Sequence, residues 1–154
     1  MNRPMKRKPE ERSGAESFLY QAWDAHEQVT RDLERLARLE AIATRTTAVL
    51  REDRVQTTAR NDVMEQAILE MEEAKQELKC HEEKEVRAFL EIHHLIERVE
   101  HETMRQILEK RYLRYMNWPA IAGELSFNNS WIRRLHHQAL RQVEILLDQE
   151  DRRA

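Results

Sequence analysis

Glycine and proline are scarce, two and three among 154 residues. A chain so short of turn formers, and dominated by Ala, Leu, Glu, Arg and Gln, has the composition of long helices or a coiled coil, and strands are not expected. One cysteine, Cys80, cannot close an internal disulfide, so nothing demands an oxidising compartment. No apolar run nears the roughly 20 residues a membrane span requires, and the N-terminus lacks the apolar core of a signal peptide. These absences lead to the expectation of a soluble protein of a reduced cytoplasm with no membrane partner. With 36% charged and 40% hydrophobic residues, any core is a narrow stripe, and the length suits one ordinary domain or two small ones.

The formal net charge of −3 by itself argues against a nucleic-acid binder, but its distribution argues the other way. Residues 61–102 carry 13 acidic and 5 basic groups, whereas residues 103–147 carry 3 acidic and 7 basic ones. A basic module follows an acidic rod.

Residues 1–14, MNRPMKRKPEERSG, hold five basic residues and almost nothing to bury, and read as a disordered basic arm. Ser13 to Glu16 forms the S-x-x-E pattern of a capping box, marking a helix start. Beyond it Ala22, Val29, Leu36, Ala43 and Leu50 recur every seven residues, with Phe18, Ala25 and Leu39 on the second seam line. A turn or connector is expected near 52–60. The second long helix starts at Asn61 or Asp62 and runs to about Val99. Met64, Met71 and Leu78 keep one line, KQELKCHEEKE weakens it, and Val86, Phe89, Ile92, Ile96 and Val99 resume on a shifted register, which predicts a stutter or kink. Residues 15–100 are thus expected as a long, coiled-coil-like antiparallel hairpin serving oligomerisation, the alternative being two helices of a globular bundle.

Residues 101–147 read as a second module, with 148–154 a flexible tail. A helix over His101 to Tyr115 precedes NWPAIAGELSFNNSWIRRLHHQAL. Trp118-Pro119 opens a short helix, because proline is tolerated in the first turn. Ile121 and Leu125 face the core, Ala122 is the small residue at a helix crossing, and Phe127 seals the turn. A second helix begins at Asn128 or Asn129, either a good cap, and buries Ile132, Leu135, Ala139, Leu140, Val143 and Leu146. Its other face presents Asn129, Ser130, Arg133, Arg134 and His137, with Trp131 on a flank. Those side chains can hydrogen-bond base edges and phosphates, so double-stranded DNA is an expected partner, the alternative being an ordinary helical hairpin with the same spacing. Arg133 or Arg134 reads guanine or clamps phosphate, Asn128, Asn129 and Ser130 meet base edges or the backbone, and Lys110, Arg111 and Arg114 contact phosphates or support the fold.

The run LEKRYLRYMNWPAIAGELSFNNSWIRRLHHQALRQVE resembles region four of bacterial sigma factors through Leu108, Arg111, Tyr112, Trp118, Ile121, Ala122, Leu125, Ile132, Ala139 and Leu140. Preceded by a helical hairpin, residues 16–147 are similar to small sigma-like phage regulators of the ArpU and RinA type, whose R-L-H-x-x-A-L signature is matched by Arg134, Leu135, His136, Ala139 and Leu140. Two positions depart: Ser126 stands where the turn usually has glycine, and Gly123 lies inside the first helix. The resemblance implies an all-α fold with a C-terminal sigma region-four-like helix-turn-helix. It implies a phage or prophage transcriptional regulator, nucleoid-associated, that touches host RNA polymerase and controls late genes. A lone module reads few base pairs, so a homodimer through the hairpin is expected. Promoter melting uses a separate aromatic-rich domain that is not read in these residues, so a regulator is expected rather than a self-sufficient initiation factor. The rival readings are a DNA-packaging protein of the small terminase kind, in which the DNA-binding module commonly comes first, and a helical adaptor that binds proteins only.

Other signals point nowhere. His93, His94, Glu97 and His101 lie along one helical face, but zinc needs convergent ligands and a supporting shell, and no metal or other cofactor is expected. Carboxylate pairs such as Glu72-Glu73 sit in a solvated charge run without the desolvation that acid–base catalysis requires, so no enzyme is expected. Cys80 reads as a small packing residue.

Overall fold

The computed structural model describes residues 6–52 and 57–154, with side chains described for 6–48 and 61–154. It is all-α, and no strand occurs among the described residues. A turn of 3-10 helix, Pro9–Glu11, precedes α1 (Gly14–Leu19) and α2 (Gln21–Glu52). Then come α3 (Thr57–Glu97), α4 (Glu102–Leu108) continued by a π-turn (Glu109–Leu113), α5 (Trp118–Leu125) and α6 (Asn129–Arg153). Of the connector expected near 52–60, residues 53–56 lie outside the described residues, while α2 runs to Glu52 and α3 begins at Thr57 rather than at Asn61 or Asp62. No helix among the described residues is long and apolar enough to cross a membrane.

The chain forms two compact units, one of residues 1–24 and 85–154, the other of residues 25–84. The boundary expected at 100 therefore falls inside the first unit, and the last stretch of α3 belongs with the C-terminal helices. The tail expected after 147 continues α6 to Arg153.

In the second unit, α2 and α3 pair antiparallel: Asp32 bonds His81, and Arg35 meets Glu77 at 3.0 Å, so a step forward on one helix is a step back on the other. Val29, Leu36, Ala67 and Ala74 are its buried apolar residues. The stutter expected in α3 does not occur. Buried or half-buried positions fall at 67, 74, 81, 88 and 95, and again at 64, 71, 78, 85, 92 and 99, two unbroken seven-residue lines. Polar residues hide the period in the sequence, because His81 and Glu85 occupy seam positions. Val86 and Phe89, expected on the seam, are exposed. In α2, buried Asp32 likewise fills the gap between Ala25 and Leu39. A polar pair inside a seam fixes register, because any slip would leave both groups buried without each other. Cys80, expected to pack, is exposed.

In the first unit, the core joins Leu19, Ile92, Leu95, Ile107, Leu108, Tyr112, Ile121, Ile132 and Val143. The capping box at Ser13 forms as its pattern suggests: Glu16 N–H donates to Ser13 Oγ at 3.2 Å, and Ser13 N–H to Glu16 Oε2 at 3.0 Å. The basic arm is not disordered from Lys6 onward. Arg7 grips both carboxylate oxygens of Glu16, while Lys6 and Arg12 converge on Asp24 at 2.6 and 2.8 Å, and Arg12 lies 4.3 Å from the Tyr20 ring centre. Burial pushes the Asp24 carboxyl up, but hydrogen bonds and charge from Arg12 and Lys6 outweigh it and hold the group below its ordinary range. Residues 1–5 lie outside the described residues. Between α3 and α4 the chain turns at Arg98 and Val99, and His101 caps α4 through the Met104 N–H at 3.4 Å.

Candidate nucleic-acid interface

The π-turn after α4 sets the base of the site. Arg114 N–H reaches back to Glu109 O at 3.0 Å, and the widened turn buries Arg111, Tyr112 and Leu113 in succession. Tyr115 then takes a left-handed conformation (φ 58°), and Met116 N–H bonds Lys110 O at 3.0 Å, one residue further back than a Schellman bond would reach, in keeping with the widened turn. Left-handed backbone costs a residue with a Cβ about 1–2 kcal/mol. Tyr115 is held there by its ring against Trp23, 5.5 Å between centres, and by its hydroxyl on Ala22 O and Glu85.

Local sequence places the next two helices. Asn117 caps α5 by accepting from Ala120 N–H at 2.9 Å, with Pro119 in the first turn, and α5 buries Ile121 and Ala122. It ends at Ser126, whose φ of 58° and ψ of 36° are left-handed, the strained serine that the missing glycine foretold. Phe127 N–H bonds Ala122 O at 3.1 Å, but the Phe127 side chain is 40% exposed and does not seal the turn. Asn128 caps α6, accepting from Trp131 N–H at 2.8 Å. That side-chain oxygen is therefore engaged by the helix, while the amide N–H groups stay available to a ligand.

Along α6, Ile132, Leu135, His136, Ala139 and Leu140 face the core, while Asn129, Ser130, Trp131, Arg133, Arg134 and His137 are exposed. Asn129, Arg133 and His137 form one line at four-residue spacing, with Ser130 and Arg134 beside it. Arg114 is exposed as well.

Of Lys110, Arg111 and Arg114, expected to contact phosphates or to support the fold, two are engaged within it. Arg111 is 1% exposed and cannot reach DNA. Its guanidinium lies between the faces of Trp118 and Trp23, 4.6 and 4.9 Å from their ring centres, and donates to Met116 O at 2.9 Å and the Tyr20 hydroxyl at 3.4 Å. A cation so buried persists because aromatic faces and acceptors replace its water. Lys110 pairs with Glu124 on α5, whose carboxyl it holds below the ordinary range, so its charge is already partly answered.

The structure adds cations that the sequence reading consigned to a disordered arm. Lys6, Arg7 and Lys8 line a cleft of about 470 Å³ together with Arg133 and His137 of α6. The basic residues of the first 14 were the signal, and the docking of the arm from Lys6 onward brings Lys6, Arg7 and Lys8 to this cleft.

His136 closes the floor. Its Nε2 lies 2.7 Å from the Tyr112 hydroxyl, its ring meets Trp118 edge-on at 4.5 Å, and burial, helped by the charges of His137 and Arg111, pulls its pKa down to about 3. The folded state thus keeps His136 neutral, whereas the unfolded chain protonates it near the ordinary 6.5. Its contribution to stability is complete above that value and is lost as pH falls through the window toward 3, by about 1.4 kcal/mol per pH unit at most. Urea midpoints between about pH 6.5 and 5, above the range in which most carboxylates titrate, should fall for the natural chain and stay flatter in His136→Gln. Equal slopes would show that His136 is not held neutral.

Among the described residues no group of three or more His, Cys, Asp or Glu side chains gathers as a metal site. Compared with known proteins, the chain matches no family model, no curated protein and no solved structure.

Proposed function

We propose that this chain is a sequence-specific DNA-binding regulator of transcription of the phage or prophage kind. In this reading α5, the turn at Ser126 and α6 act as a sigma region-four-like helix-turn-helix, with α6 as the recognition helix in the major groove. One observation carries the proposal. The first half of α6 divides cleanly, with Ile132, Leu135 and Ala139 in the core while Asn129, Ser130, Arg133, Arg134 and His137 face outward. Arginines and short amides on one face of a capped helix are the groups that pair with base edges and phosphates in a groove. Contact with host RNA polymerase, implied by the sequence resemblance alone, belongs to the same proposal.

Dimerisation through the long helices would set two recognition helices on successive grooves. Support comes from the second unit, where Leu33, Ile42, Val63, Ile68 and Leu69 are all about half exposed or more.

A map of binding sites of the full chain across the genome that encodes it tests the reading. Discrete sites upstream of genes are expected. Enrichment confined to a DNA-packaging site would assign the chain to packaging instead, and absence of DNA from the captured material would make it a protein adaptor.

A further inference from the structure

The cleft beside α6 brings two distant parts of the sequence to one place, and neither part explains it alone. The N-terminal arm forms one wall through Lys6, Arg7 and Lys8, and the outward line of α6 forms the other through Arg133 and His137. The arm is held by its own ion pairs, Arg7 on Glu16 and Lys6 and Arg12 on Asp24, and by the hydrogen bond that Arg12 Nε–H donates to Arg7 O at 3.0 Å. Glu16 is therefore answered inside the fold, by Arg7 and by the Ser13 N–H, and only 4% of its side chain remains exposed. Glu11 is the other carboxylate lining the cleft. Against it stand Lys8 and Arg133, both exposed and both outside the ion pairs that hold the arm and α6 in place. The pinned arm thus leaves a surplus of positive charge beside the face of α6 that carries the base-reading candidates.

We infer that the docked arm is a second DNA contact, in which Lys8 and Arg133 bind the phosphodiester backbone of the strand that borders the groove entered by α6. The inference rests on the reading of α6 as recognition helix, and it assigns the arm a positioning role without base readout. Phosphate contacts of this type fix register on the duplex and carry no sequence information, so they act equally on all duplexes. Because the arm is already ordered by its ion pairs, little conformational entropy is lost when it meets DNA.

The test measures affinity of the full chain against salt concentration, on a selected duplex and on a random-sequence duplex. It compares the natural chain with Lys8→Gln and Arg134→Ala. The Lys8 side chain makes none of the ion pairs that hold the arm, and its backbone bond to Glu11 N–H is kept by glutamine, so Lys8→Gln should leave thermal unfolding unchanged. It should weaken both duplexes by a similar factor, roughly three- to tenfold, and lower the salt slope by about 1. Arg134→Ala should instead narrow the gap between the two duplexes. If Lys8→Gln leaves affinity and slope unchanged while Arg134→Ala narrows the gap, the arm contact is overturned and the recognition helix stands. If Arg134→Ala changes nothing while Lys8→Gln weakens both duplexes, the arm contact stands and the base-reading role of α6 falls. Absence of duplex binding at any salt removes both. A matched titration with inorganic phosphate separates the two sources of the anion: saturable phosphate binding that Lys8→Gln abolishes, with duplex binding untouched, assigns the cleft to free phosphate and overturns the inference.

Discussion

Arg111→Ala is expected to destabilise the first unit by about 3–5 kcal/mol, the range for removing a large buried side chain whose neighbours cannot close the space. The guanidinium fills the gap between Trp23 and Trp118 and ties Met116 O and the Tyr20 hydroxyl, so truncation removes two aromatic contacts and leaves buried acceptors behind. Arg111→Met keeps most of the volume and removes the buried charge, and a loss below about 1.5 kcal/mol is expected. Urea unfolding followed by tryptophan fluorescence reads both variants, because Trp23 and Trp118 flank the position. The pair of variants also decides between structural and phosphate-binding roles. A methionine variant that unfolds at the natural midpoint but binds DNA several-fold more weakly would restore Arg111 to the interface.

Replacing Arg133 and Arg134 together with alanine should have the opposite signature. Both side chains are exposed, so stability should move by no more than about 0.5 kcal/mol. Discrimination between a selected and a random duplex should fall by about 1–3 kcal/mol for each arginine that reads a base. For Arg133, assigned above to the phosphodiester backbone, the share of the loss falls on both duplexes alike. It then appears as a decrease of about 1 in the salt slope rather than as lost discrimination. Each single variant, measured on both duplexes, apportions the two effects. Unaltered sequence preference in the double variant, with helicity intact, would defeat the assignment of α6 as recognition helix.

Much of the first unit was legible because its signals are local. Ser13, Asn117 and Asn128 cap helices by accepting from a backbone N–H three residues on, and such bonds need no partner from elsewhere in the chain. Pro119 marks a helix start for the same reason. The division of α6 into buried and exposed faces follows from helical period alone. Phe127 shows the limit of such reasoning: an aromatic beside a turn suggests a seal, yet whether it packs depends on space that local sequence does not describe.

The sequence by itself determined that this chain is helical, where most of its helices begin, and which residues of α6 face outward, since each follows from backbone hydrogen bonding and a 3.6-residue period. Only the tertiary structure decided the fate of the charged residues. Arg111, for which the sequence left phosphate contact and support of the fold both open, lies in the core, and Asp32 and His81 in the helical seam and the arm of Lys6, Arg7 and Arg12 are placed by partners remote in the chain. Burying or pinning a charge is unfavourable until aromatic faces, carboxylates and carbonyls arrive from remote parts of the chain to replace its water, and that convergence exists only after folding.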